Sequence, residues 1–327
     1  MQAITMNYPM HFPVPGMPER GQVLAIGDFD GLHLGHREVV RRAVETARKL
    51  RLPAAVMTFH PHPREVLGQQ KYVEHLTPLQ DKLKLLEDAG IDVAYIVRFD
   101  VPFSQISPSQ FVEEVLVPME PSTVVIGFDY RFGHKGGGDA DSLCELAAGR
   151  FAVEVVRPYR MDGEKVSSTL IRDSLMQGDV SRVSRLLGRD YALSGEVVHG
   201  AARGRLIGFP TANIEPDAPY VVPANGVYAV RLEWGGRRYA GVMNIGTKPT
   251  FEGDKAKRTL EAHLFDFDSD IYGETVKVEF VAYIRPEQKF ASVDDLIAQI
   301  RRDAVTAREL TGHSPVQEAA RLRNGLS

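Results

Sequence analysis

Two histidines three residues apart follow a short apolar run near the N-terminus. They belong to the segment Gly27–His36, whose sequence is GDFDGLHLGH. Backbone N–H groups and the dipole at a helix N-terminus favour an anion, and imidazole N–H groups add donors for phosphate oxygens. Gly35 permits close approach of a ligand. The segment therefore predicts a phosphate site formed by His33, His36, Gly27, Phe29, Asp30, Gly31 and Gly35.

Two other interpretations of the histidines stay open. They could cap a helix or pack in a core, or they could bind a metal together with His60 and His62, which follow the next apolar run. Phosphate binding is favoured because glycines crowd the segment and no set of histidines and carboxylates has clear metal-ligand spacing.

A cluster of hydroxyl side chains opens a predicted helix later in the first half. It comprises Ser167, Ser168 and Thr169, with Arg172 one turn further on. Alone, such a cluster is usually a helix cap. Hydroxyls and backbone N–H groups at a helix start also suit phosphate.

Glycines and oxygen-bearing side chains characterise the start of the second half. Gly200, Gly204 and Gly208 can wrap phosphates through their backbone N–H groups. Thr211 and Asn213 are two residues apart on a predicted strand and so face one side. They can offer two oxygens to Mg²⁺, which prefers oxygen ligands.

Predicted strands and helices alternate along the first half and position its motifs. This order predicts a doubly wound parallel sheet, with ligands bound beyond the carboxyl ends of the strands. The predicted strands are Gln22–Gly27, Ala54–Phe59, Ile91–Phe99, Ser122–Gly127 and Phe151–Val156. Helices are predicted after Gly35, from Thr77 and Ser107 as N-caps, and over Leu143–Ala148, Ser168–Met176 and Val180–Leu187.

The second half is dominated by predicted strands. Gly226–Trp234 and Arg237–Ile245 flank a glycine pair and predict a hairpin. Thr259–Phe267 and Glu274–Ile284 form a second predicted pair. A helix capped by Ser292 follows, with Leu296, Ile297, Ile300 and Ala304 on its buried face. We expect an antiparallel barrel or sandwich with a C-terminal helix, and domains at residues 1–187 and 188–327.

Composition limits the classes of function. The 327 residues suggest about two domains at roughly 150 residues each. The 39 basic and 43 acidic side chains give a net charge of −4, which argues against a nucleic-acid partner. With one cysteine, Cys144, no signal peptide and no run of about 20 apolar residues, we expect a cytoplasmic protein without a membrane partner. A homo-oligomer stays open.

The combined motifs resemble those of the bifunctional riboflavin kinase/FAD synthetase family, from about Val23 to Thr306. HxGH with the serine–threonine cluster resembles HIGH-type nucleotidylyltransferases, and GFPTAN over residues 208–213 resembles riboflavin kinases. His60–Pro63, Gly127–Gly133, Asn244–Thr247 and Glu261–Phe265 match in order. Phe128 and Tyr130 depart from the family pattern around Asp129.

The resemblance implies an adenylyltransferase domain followed by a β-barrel kinase domain. The kinase would convert riboflavin and ATP to FMN, with Glu261 as general base and Mg²⁺ at Thr211 and Asn213. The first domain would convert FMN and ATP to FAD, with catalytic His33 and His36 on the triphosphate and Arg172 near the leaving pyrophosphate. The implied flavin-binding residues are His60, Pro61, Pro63, Asp129, Phe132 and Asn244.

Two rival hypotheses remain. A nucleotidylyltransferase with a phosphopantetheine-type or phosphocholine-type acceptor would leave the GFPTAN motif unused. A flavin-binding regulator without catalysis would not need Thr211, Asn213 and Glu261 together.

Overall fold

The computed structural model describes residues 1–19, 21–200, 204, 207–248 and 257–312. Contacts divide the chain into two compact units, Met1–Ser168 and Thr169–Ser327. Each unit has its own sheet, as a two-domain chain requires. No helix in these described ranges is long and apolar enough to cross a membrane.

The first unit is built on a six-stranded sheet in which every neighbouring pair is parallel. Its strands are β1 Gln2–Met6, β2 Gln22–Ile26, β3 Ala54–His60, β4 Val93–Arg98, β5 Pro121–Gly127 and β6 Ala152–Val156, in the spatial order β1-β4-β3-β2-β5-β6. A small antiparallel pair, β7 Arg160–Met161 and β8 Glu164–Lys165, follows.

Helices pack against both faces of this sheet and bury the apolar side chains on each face. They are α1 Leu34–Leu50, α2 Pro63–Val66, α3 Leu79–Asp88, α4 Val101–Ser104, α5 Pro108–Gln110 continuing helically to Met119, and α6 Ala140–Ala147, with short 3₁₀ turns at Gln70–Tyr72 and His134–Gly136. The predicted doubly wound sheet is confirmed.

The chain moves outward from β2 in both directions. It passes to β3 and β4 on one side, then returns to place β5 and β6 on the other. Such a reversal leaves a crevice at the carboxyl ends of the two central strands. The segment after β2 and the segment after β5 therefore meet there.

Three local expectations for the first unit differ from the structure. Strand β1 was not predicted, because only Ile4 and Met6 mark its buried side within five residues. Helix α3 begins after Pro78 without a side-chain cap, so Thr77 is not its N-cap. Helix α6 begins three residues earlier than expected, because Asp139 forms a capping box with Ser142.

The second unit contains a closed six-stranded antiparallel barrel, which confirms the predicted barrel. Among its described residues there are three helices of eight or more residues. The strands are β9 Tyr191–Val198, β10 Ala212–Pro216, β11 Gly226–Trp234, β12 Arg237–Lys248, β13 Lys257–Leu264 and β14 Thr275–Arg285, closed in the order β10-β13-β12-β11-β14-β9. The helices are α7 Ser168–Met176, whose first residue ends the first unit, α8 Val180–Leu187 and the long α9 Val293–Thr311.

The barrel corrects one predicted pairing. Strands β11 and β12 form the expected hairpin through Gly235 and Gly236, both at positive φ. Strands β13 and β14 do not pair with each other: β13 lies between β10 and β12, and β14 lies between β9 and β11. The connection from Leu264 to Thr275 is much longer than a hairpin turn, so it need not join neighbouring strands.

Helix α9 packs on the outer face of β11, β12 and β14. Ser292 caps it as predicted. Its predicted apolar side chains are only half-buried, and the most buried residues are instead Asp303, Ala307 and Thr311. Arg285 on β14 holds Asp303 with contacts of 2.7–3.0 Å, so a buried ion pair fixes the helix on this face.

Candidate active sites

The two histidines of the first unit form one packed group at the start of α1. His33 is the N-cap, and its Nδ1 accepts the backbone N–H of His36 at 3.2 Å. The two rings stack with their centroids 3.7 Å apart. A Cβ at Gly35 would lie 3.1 Å from the His33 ring, so a larger residue there would crowd that ring.

Both imidazoles are neutral near pH 7. Burial lowers the pKa of His33 to about 4 and the pKa of His36 well below its usual range. Since His33 Nδ1 accepts a hydrogen bond, the neutral ring carries its proton on Nε2. Nδ1 of His36 is buried and has no hydrogen-bond partner within the described part of the chain. The pair therefore offers donors to an anion without offering charge.

The backbone before the histidines is sharply folded. Phe29 and Leu32 adopt left-handed conformations with φ of 50° and 38°, beside Gly31 at 87°. The Phe29 ring is buried against His36, with centroids 5.5 Å apart, and a Cβ at Gly27 would crowd it. Gly27 thus leaves room for the Phe29 ring, and that ring supports His36.

Asp30 connects this segment to two other parts of the first unit. Its carboxylate accepts the backbone N–H of Thr77 at 3.1 Å. Its carbonyl oxygen accepts the hydroxyl of Ser168 at 2.9 Å. The hydroxyl proton of Ser168 is therefore already engaged, and this serine anchors the second motif to the first.

The rest of the serine–threonine cluster varies in exposure. Ser167 is half-buried, and Thr169 is exposed. Arg172 is buried one helical turn after Ser168. Their predicted phosphate contacts remain predictions.

The two histidines at the end of β3 lie in different environments. His60 ends the strand at the surface, next to the half-buried Pro61 and Pro63. His62 instead caps α2 through Nδ1, which accepts the backbone N–H of Arg64 at 3.1 Å, and its ring stacks on Tyr72. No three His, Cys, Asp or Glu side chains in the described ranges are arranged to hold a metal. The metal interpretation therefore gains no support.

The segment after β5 presents an exposed ring beside an ion pair. Phe128 is 41% exposed, and Lys165 Nζ lies 4.6 Å from its ring centroid. Lys165 also pairs with Asp129. Phe132, only 5% exposed, packs in the core beneath Tyr130. Phe128, Asp129 and Arg131 are thus exposed members of this motif.

Two lysines near the histidine segment were not predicted. Lys165 precedes the serine–threonine cluster and pairs across to Asp129. Lys82 is buried on α3 and donates to the carbonyl oxygen of Asp28 at 2.7 Å. The signal for Lys82 was its spacing, since it lies four residues before the buried Leu86 and therefore on the apolar side of the helix.

The second unit brings three predicted residues into one row. Glu261 on β13 is in register with Asn213 on β10 and with Asn244 on β12. Directly paired residues of antiparallel strands project to the same face. The row lies on the outer face of the barrel, because the neighbouring Ala262 and Met243 are buried inside. A carboxylate is therefore flanked by two amides.

The glycine-rich segment approaches this row from β9. A Cβ at Gly200 would lie 2.0 Å from Asn213 Nδ2, so any larger residue there would displace the Asn213 side chain. Thr211 directly precedes β10, and its Cγ2 would lie 3.5 Å from a Cβ at Gly204. Gly208 has a φ of 83°. Residues 201–203 and 205–206 of the predicted phosphate-wrapping segment lie outside the described residues.

These oxygen donors suit a hard cation. A hydroxyl and an amide oxygen stand beside a glycine whose missing side chain leaves room at Asn213. Mg²⁺ prefers such oxygen ligands and usually takes its remaining ligands from water and phosphate. Thr211 and Asn213 therefore fit the predicted metal.

Comparisons with known proteins identify one family model for each half of the chain. A family model described as FAD synthetase matches residues 17–170, and one described as riboflavin kinase matches residues 187–311. A bifunctional riboflavin kinase/FMN adenylyltransferase of Listeria monocytogenes is 40% identical over 94% of this chain and 98% of its own length. One from Escherichia coli K12 is 41% identical over 90% and 94%.

A solved structure also matches nearly the whole chain. It bears the name macrolide-efflux protein from Streptococcus pneumoniae and has a TM-score of 0.84, with 34% identity over 92% of this chain and 97% of that one. Its likeness extends over both units. The two family models and the long alignments show that this chain belongs to the bifunctional riboflavin kinase/FMN adenylyltransferase family.

Proposed function

We propose that this chain phosphorylates riboflavin to FMN and then adenylylates FMN to FAD, using one ATP in each reaction. Two arrangements of predicted residues support the proposal, one at the parallel sheet and one on the barrel. His33 and His36 stack at the switch point of the parallel sheet, and Glu261 stands between two amides on the barrel.

In the barrel, Glu261 is the general base. Its carboxylate would take the proton of the ribityl 5′-hydroxyl as that oxygen attacks the γ-phosphorus of ATP, the bond from that phosphorus to the β–γ bridging oxygen breaks, and ADP leaves. Asn244 would orient the flavin substrate from the neighbouring strand. Thr211 and Asn213 would hold Mg²⁺, which when bound neutralises charge on the phosphates.

In FAD formation, catalysis would rest on positioning and charge stabilisation. The FMN phosphate would attack the α-phosphorus of ATP in line, and pyrophosphate would leave. Nε2–H of His33 would donate to a phosphate oxygen. Ser167, Thr169 and Arg172 would bind the leaving end, while His60, Pro61, Pro63 and Asp129 would hold the flavin. Phe132 would support Tyr130 from beneath.

We also propose that the two domains comprise residues 1–187 and 188–327. A cytoplasmic location is a separate proposal. The riboflavin kinase model begins at residue 187, which supports the division. The single cysteine, Cys144, cannot form an internal disulfide, which supports a reducing compartment.

Two incubations test the proposal. Riboflavin, ATP and Mg²⁺ should give FMN followed by FAD, and FMN with ATP and Mg²⁺ should give FAD and pyrophosphate. Formation of neither flavin product would contradict the proposed function. A nucleotide transferred only to a phosphopantetheine-type or phosphocholine-type acceptor would favour the rival transferase.

A further inference from the structure

Lys82 fastens the histidine segment to two neighbouring elements. Its Nζ donates to the Asp28 carbonyl oxygen at 2.7 Å and to Thr58 Oγ1 at 3.4 Å. The Thr58 hydroxyl donates to the same carbonyl at 3.1 Å. One ammonium on α3 therefore fixes the point at which the chain leaves β2, beside the end of β3.

The charge of Lys82 is buried without an ion pair. Its side chain is only 6% exposed, and no carboxylate in the described ranges lies within 4 Å of Nζ. Burial lowers its pKa, while the carboxylates of Asp30 and Asp28 act from further away to raise it. Burying an ammonium without a close counter-ion destabilises the folded state. An anion bound nearby would compensate that charge.

The position of Lys82 matches this requirement. His33 and His36 are neutral, so their rings contribute no net charge to a triphosphate site. The Lys82 cation lies near enough to His36 and His60 to lower the pKa of each. Its hydrogen bonds to the Asp28 carbonyl oxygen and to Thr58 place it at the carboxyl ends of β2 and β3, next to the residues predicted to bind phosphate and flavin.

We propose that Lys82 is a positioning residue for adenylyl transfer. It fixes the Asp28 carbonyl, and so the path of the backbone to His33, and it supplies buried positive charge that favours the ATP triphosphate and the leaving pyrophosphate. This inference rests on the proposed function of the first unit and adds a residue to it.

The test compares Lys82→Met with Lys84→Met in the full chain. Lys84 is an exposed lysine on the same helix. Lys82→Met should lower kcat/KM for ATP in FAD formation about 10²-fold, a loss typical of a removed electrostatic donor. It should also raise the inhibition constant of inorganic pyrophosphate about tenfold, as expected for a lost charge–phosphate interaction. Lys84→Met should change neither value, and both variants should phosphorylate riboflavin normally.

Thermal unfolding separates this role from a purely structural one. Methionine removes a buried unpaired charge and leaves the Thr58 hydroxyl on the Asp28 carbonyl, so Tm should not fall. Lys82→Arg, which keeps the charge, should retain at least about tenfold more FAD formation than Lys82→Met.

Three results would overturn the inference: near-normal FAD formation by Lys82→Met, a large fall in its Tm, or equal loss in Lys82→Arg. The wild-type chain distinguishes this failure from failure of the proposed function. If the wild type makes no FAD from FMN, the proposed function falls and the inference falls with it. If the wild type makes FAD and Lys82→Met matches it, only the role of Lys82 is wrong.

Discussion

His36 donates its backbone N–H to Nδ1 of His33 at 3.2 Å, and the two rings stack 3.7 Å apart between centroids. The hydrogen bond selects the tautomer of His33, and the stacking couples the position of one ring to the other. The two rings therefore act together as one neutral hydrogen-bond donor group.

His33 should not titrate near its ordinary pKa. Burial lowers its pKa to about 4, so its ring should stay neutral from pH 8 to about 5. Long-range ¹H–¹⁵N NMR of the ring nitrogens measures this directly and also reports the Nε2–H tautomer. A midpoint near 6.5 would contradict the buried arrangement.

The same shift predicts acid sensitivity of folding. The unfolded chain protonates His33 near 6.5, whereas the folded chain does so near 4. Between these values the unfolded state binds more protons, so the free energy of unfolding should fall as pH drops from about 6.5 to 4. Denaturant unfolding across this range should show a smaller fall in His33→Asn than in the wild type. An equal fall would assign the sensitivity to other groups.

Replacing His36 should separate the two activities. His36→Ala should reduce FAD formation at least about 10²-fold, because a positioned donor for the triphosphate is lost. FMN should still accumulate from riboflavin. Chromatography of the flavins measures both products, and His11→Ala, at an exposed histidine of the same unit, is the matched control. Undiminished FAD formation would remove His36 from the site.

Glu261→Gln should produce the opposite pattern. The amide keeps the shape of the side chain but cannot accept the ribityl proton, so riboflavin phosphorylation should fall about 10²–10⁴-fold. Added FMN should still become FAD. Glu196→Gln, at an exposed glutamate on β9, should leave both rates unchanged. A merely twofold loss in Glu261→Gln would argue against a general base.

Gly200→Ala should weaken the kinase through Asn213. The new Cβ would approach Asn213 Nδ2 to 2.0 Å, and that flexible side chain must move away. We expect a higher Mg²⁺ concentration for half-maximal FMN formation, because a proposed metal ligand is displaced. FAD formation from added FMN is the internal control. An unchanged Mg²⁺ requirement would separate Asn213 from the metal.

The sequence predicted most of the architecture through local signals. Val39, Val40 and Ala43 recur at helical spacing and are buried on α1, and Ser107 forms the capping box it predicted. The pairing of β13 with β10 and β12 could not be predicted in this way. Barrel closure depends on contacts between distant strands, whereas sequence patterns report on neighbours.

In the candidate sites too, some features could be predicted from the sequence and others required the structure. The motifs identified His33, His36, Asn213 and Glu261, and the structure supplies their stacking and register. The role of Lys82 could not be predicted from the sequence, because a single charged residue on an apolar helix face belongs to no motif. Its meaning depends on the Asp28 carbonyl, 54 residues away in the chain.

The two proposed reactions can be followed in one incubation of the wild-type chain with riboflavin, excess ATP and Mg²⁺, sampled over time by chromatography. FMN should appear first, and FAD should follow with release of pyrophosphate. Riboflavin that remains unmodified, in a folded chain with ATP and Mg²⁺ present, would contradict the proposed reactions.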